Sequence, residues 1–164
     1  MHIDVDAVAP WTLDWLWGLP LCVVTVVIHV VGLFGIKQIF DHYFARATRR
    51  TFPGVVVTLI AGTTVMVTML HGLEATIWAF AFRFLGALPN QKAATLYSLN
   101  ALTTFGHAGF TLEGQWHLMG SLEALNGWIL FGLSTAFLYA VIQEVWARAT
   151  PDMMPHRRPV SASS

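Results

Sequence analysis

Asn100 to Phe110 reads NALTTFGHAGF. It holds two threonines, two phenylalanines, two glycines three positions apart and one histidine, with an apolar, helix-like segment on each side. Gly106 and Gly109 end helical structure. The residues before them, about Gln91 to Thr104, follow the breaker LPN and have the length and composition of a short helix. The whole connection is too interrupted to cross a bilayer and too apolar for a solvated loop. Non-helical backbone at membrane depth is tolerated only where protein buries it or a watery cavity receives it, so the segment reads as re-entrant.

Working outward, the flanks are spans. A bilayer needs about 20 apolar residues at about 1.5 Å rise each. Three segments qualify: 16–40, 54–85 and 122–146, the second long enough to tilt. Of 164 residues, 55% are hydrophobic and only 11% charged, with a mean hydropathy of +0.60, beyond the range of a water-soluble domain. Nine basic and nine acidic side chains balance, so no electrostatic footprint for nucleic acid is present. Cys22 is the single cysteine, which excludes an intrachain disulfide and a cysteine metal cluster. The acidic start MHIDVDAVAPW is unlike a cleaved signal peptide. No serine or cysteine nucleophile motif or zinc-protease motif occurs, so no enzyme is expected.

Arginines set the expected orientation. Arg46, Arg49 and Arg50 crowd the connection 41–53, and Arg148, Arg157 and Arg158 follow the third span. The tail 1–15 carries Asp4, Asp6 and Asp14 without a lysine or arginine. Because positive loops stay cytoplasmic, the N-terminus is expected outside, the C-terminus inside and the re-entrant segment open to the outside of a bacterial inner membrane. The proline- and serine-rich tail 147–164 is expected to be disordered.

The run from Leu70 to Ile142, above all TLYSLNALTTFG with EALNGWILFGLSTAFL, resembles the small bacterial pore-loop ion channels of the two-transmembrane potassium channel superfamily. That family carries a filter of the form T-T-L-G-Y-G-D where this chain has, without a gap, Thr103, Thr104, Phe105, Gly106, His107, Ala108 and Gly109. The resemblance implies a pore domain at 54–146: outer helix 54–85, pore helix about 91–104, filter 104–109 and pore-lining inner helix 122–146. It implies a homotetramer in the lipid bilayer, passing potassium or sodium ions with no cofactor. The expected fold is thus all-α integral membrane, three transmembrane helices plus a re-entrant pore helix, in a tetrameric pore-loop channel architecture.

Three departures set the chain apart from that pattern. A potassium filter stacks backbone carbonyls toward the axis, and its second glycine is here Ala108. Forcing alanine left-handed costs roughly 1–2 kcal/mol per subunit. His107 stands where the family has its bracing tyrosine, and Gly109 where it has an acidic residue. The resemblance therefore implies weak or altered selectivity, and leaves a non-conducting scaffold or sensor with a channel fold as an alternative.

Other residues have two readings each. Gly127 and Gly132 suit a gating hinge or close helix packing. Ser134 and Thr135 suit a watery cavity or bonding back to their own helix. Asn126 suits a bond across to another helix near the filter. His71 and Glu74, three apart on one face, suit a buried polar clasp on the pore helix rather than an ion site; no metal is assigned. Glu113 suits an anionic outer ring or a solvated turn. Trp11, Trp15, Trp17, Trp116 and Trp128 are expected in an aromatic belt. His29 and His71 fall at similar depth, roughly 16–21 Å from the outer ends at helical rise, which leaves a His-ligated haem or metal protein as a further alternative.

Overall fold

The computed structural model describes residues 12–46, 52–106, 109, 111–112 and 116–149. Four helices order them: α1 Thr12–Phe44, α2 Phe52–Phe84, α3 Gln91–Leu102 and α4 His117–Ala149. The three long helices have 33 residues each, about 50 Å at the α-helical rise, and are apolar enough to cross a bilayer. The described chain is therefore all-α and has the build of a multi-pass membrane protein. Its surface agrees, since Leu16, Val31, Phe34, Met69 and Phe84 are all exposed, an apolar exterior that water would not support.

Helix α1 packs against α2 and α4, and α3 lies against α2 and α4. α1 and α4 run about a turn beyond the spans expected at 16–40 and 122–146. Polar residues near their ends find partners there. Asp14, 2% exposed, accepts the Met119 N–H at 3.1 Å, so a carboxylate of α1 caps the first turn of α4, where backbone donors are otherwise orphaned and the helix dipole favours negative charge. At the opposite end Lys37 reaches Asp41 on its own helix and Glu144 of α4, the latter at 2.9 Å, and Arg148 donates to the Phe44 carbonyl at 2.8 Å.

The turn from α2 into α3 is dictated locally. Gly86 has φ +69°, and the bonds Gly86 N–H to Arg83 and Ala87 N–H to Phe82 are the two of a Schellman motif, which requires a left-handed residue where this glycine stands. Asn90 then starts α3, its side chain accepting the Ala93 N–H at 2.9 Å, the N-cap bond that asparagine favours.

Apolar layers alternate with polar ones along the bundle. Nearest the start of α3, Trp78, Phe82, Tyr97, Met119 and Leu122 form the largest cluster. Ala75, Leu102 and Leu130 form the next. Leu33, Ile36 and Val67 follow, and Phe40, Phe44, Val141 and Val145 close the far end.

Candidate functional site

The predicted filter begins where α3 stops. α3 ends at Leu102, two residues short of the expected Thr104, and it closes with a second Schellman motif: Thr104 N–H bonds the Ala101 carbonyl and Phe105 N–H the Asn100 carbonyl, both at 2.9 Å. The left-handed place in this motif falls on Thr104, at φ +56°. Glycine is the usual occupant there, and a β-branched residue in that region is an outlier. Sequence reasoning located strain at Ala108; the strained residue among those described is Thr104.

From this point the chain leaves the interior of the bundle. Leu102 is 1% exposed, yet Phe105 three residues on is 83% exposed, and Thr103, Thr104, Gly106 and Gly109 are exposed with it. Gly106 and Gly109 also have positive φ, +101° and +91°. The Thr103 hydroxyl bonds back to the Leu99 carbonyl and that of Thr104 to the Thr103 carbonyl, both at 2.7 Å. His107, Ala108 and Glu113 lie outside the described residues.

Two buried bonds hold α3 in place. Ser98 Oγ sits 2.6 Å from the Ala75 carbonyl of α2 and also contacts the Glu123 carboxyl of α4; Ser98 and Glu123 are both fully buried. The clasp expected of His71 and Glu74 on the pore helix is therefore made by Glu123 instead. No role was expected for Glu123, which stands at the very edge of the expected span 122–146. The added turn of α4 carries it inside. Gly127 supplies the third contact, and it is steric: a Cβ there would stand 2.1 Å from the Leu102 carbonyl oxygen. Of the two readings open for Gly127, close packing describes its surroundings; Gly132 faces open space.

A polar layer lies one turn deeper. Asn126 Nδ2 donates to Thr25 Oγ1 at 2.7 Å, a bond across to α1. Below it, His29, His71, Glu74 and Ser134 form a closed ring drawn from three helices. His29 Nδ1 is 2.7 Å from Glu74 Oε1. Ser134 Oγ is 3.0 Å from the Nε2 of both His29 and His71. His71 Nδ1 faces Glu74 Oε2 at 3.3 Å, out of alignment for a hydrogen bond, and neither atom has another partner. The imidazole centroids are 5.0 Å apart, and Phe131 stacks on His71 at 4.5 Å. The two histidines of similar depth thus meet, but they share one hydroxyl, which leaves no slot for a haem plane between them. Ser134 takes neither role open to it in the sequence, whereas Thr135 bonds back to the Phe131 carbonyl.

Trp15, Trp17 and Trp128 are exposed, as a belt requires, but Trp116 is buried in the core. Comparison with family models, curated proteins and solved structures finds no match. What the fold and site define is a class: a helical bundle of membrane-spanning build with one short helix, α3, clasped between two long ones.

Proposed function

We propose that the chain is a pore-loop membrane protein that assembles, as a tetramer by the resemblance, around a shared axis and passes monovalent cations. The observation that carries this reading is the course of α3. It starts beyond the end of α2 and finishes at Leu102, packed against Ala75, nine residues or about 14 Å back along α2. The irregular backbone that follows is exposed at that depth. Lipid cannot satisfy its N–H and C=O groups, whereas neighbouring copies around a water-filled axis can. The dipole of α3 directs its negative end to the same place, which favours a cation there.

The inner helix supports the reading from below. On α4 the positions Gly132, Ala136, Tyr139 and Gln143 are exposed and share one face at helical spacing, so small and polar groups would continue the path. The start of the filter argues against strict potassium selectivity, because Thr104 stands in a left-handed conformation and both threonine hydroxyls are bonded to their own chain. Sodium and potassium should pass at similar rates. The arginine distribution supports an orientation with the α3 side outside the inner membrane.

Flux from liposomes loaded with potassium, sodium or a large organic cation tests the proposal. Passage of both small ions with exclusion of the large one is expected. Tight vesicles carrying assembled protein would refute it.

A further inference from the structure

The buried ring of His29, Glu74, His71 and Ser134 does not balance its hydrogens. Each of its four contacts joins two heteroatoms and needs one hydrogen. An ionised Glu74 brings none, two neutral imidazoles bring one apiece and the Ser134 hydroxyl brings one. The ring lacks one positive centre, and the misaligned contact between His71 Nδ1 and Glu74 Oε2 shows where. We propose that His29 and His71, each through Nδ1, together with the Glu74 carboxylate, form a binding site for a divalent transition-metal ion of the zinc class.

Three features carry the assignment. First, one nitrogen or oxygen from each of His29, His71 and Glu74 lies within 4.8 Å of the others, and all three residues are buried. Two histidines and a glutamate are a donor set that zinc accepts, with a fourth position open. Second, both Nε2 atoms meet the same Ser134 oxygen at 3.0 Å. Metal-bound histidines hold their outer nitrogen in such a bond, which fixes the tautomer and the ring. With His71 Nε2–H donating to Ser134, the His71 Nδ1 lone pair faces a carboxylate that has no hydrogen to offer, a juxtaposition that a cation relieves, and a bound ion would replace the hydrogen that His29 Nδ1 shares with Glu74.

Third, the spacing suits the ion. Ligands at about 2.0–2.1 Å around a tetrahedral centre stand about 3.3 Å apart, the separation of His71 Nδ1 from Glu74 Oε2. His29 Nδ1 meets the other carboxylate oxygen, Oε1, at 2.7 Å, so the carboxylate would turn to present one oxygen to the ion and the His29 edge would open by roughly 0.6 Å. A dication beside one carboxylate leaves a single positive charge, which an anionic fourth ligand such as chloride or hydroxide offsets. Entry is from the His71 side, where the imidazole keeps 11% exposure. The site joins α1 to α2 and α4, and the inference does not rest on the pore reading.

The test uses full-length protein in mild detergent, purified without a polyhistidine tag, stripped with a chelator and titrated with zinc and with cobalt(II). One ion per chain is expected, with the visible absorbance of tetrahedral cobalt and a higher unfolding temperature. Ser134→Ala should weaken binding by about 10- to 100-fold, the usual loss for an outer partner of a metal ligand, at unchanged helix content. His71→Gln should abolish the cobalt spectrum. Absence of stoichiometric uptake by the unaltered protein would overturn the proposal, since the ring would then hold only a proton. A cobalt spectrum that survives in the double variant His29→Gln, His71→Gln would overturn it equally.

Discussion

Gly127 of α4 lies against the Leu102 carbonyl of α3 so closely that an added Cβ would come within 2.1 Å of the oxygen. The obstacle is backbone at the last turn of a helix, which cannot swing aside as a side chain would. Gly127→Ala should therefore push α3 outward and destabilise the fold by about 1–3 kcal/mol, the range for overpacking. Gly132→Ala, with open space around it, should cost little. Thermal unfolding of both variants in detergent checks the contrast; equal losses would show that Gly127 is not the contact that sets the height of α3.

The Ser98 hydroxyl contacts two oxygens, of Ala75 and of Glu123, but carries one hydrogen. Glu123 must bring the second. Glu123→Gln keeps a donor and should hold the clasp, while Glu123→Ala leaves Ser98 and a cavity and should cost about 2–4 kcal/mol. Unfolding midpoints that rank glutamine as badly as alanine would contradict this hydrogen count.

Thr104 occupies a left-handed position that glycine fills without strain. Thr104→Gly should stabilise the protein by about 1 kcal/mol, up to the full left-handed penalty of roughly 1–2. A loss of stability would mean that the threonine hydroxyl outweighs its backbone strain.

The last substitution concerns the filter pattern. The combined change His107→Tyr, Ala108→Gly, Gly109→Asp should raise potassium preference over sodium in liposome flux, with Ala108→Gly necessary because it alone restores the permissive backbone. An unchanged preference would show that the family pattern does not govern this loop.

Much of the fold was legible in the sequence because it rests on local signals. Long apolar runs mark α1, α2 and α4, and the breaker Leu88–Pro89–Asn90 marks the start of α3. The polar interior was less legible. Glu123 finds Ser98 across 25 positions, Asp14 caps α4 across 105, and His29 meets Ser134 across 105. Such pairings depend on how helices rotate about one another, which no periodicity within a single helix reveals. His71 and Glu74 were recognisable as a pair because three residues place them on one face, but their partner helix was not. Thr104 escaped notice for a different reason: its strain comes from where α3 ends, and helix ends are uncertain by a residue or two.

The central claim is that Thr103–Gly106 borders an aqueous cation path rather than lipid. Phe105, 83% exposed on the single chain, is the position to probe. In a Cys22→Ser background, Phe105→Cys protein in liposomes should react with a small, charged, water-soluble thiol reagent, and the reaction should block potassium and sodium flux. A thiol at Phe105 that the reagent cannot reach, or one that reacts while flux continues unchanged, would contradict the account.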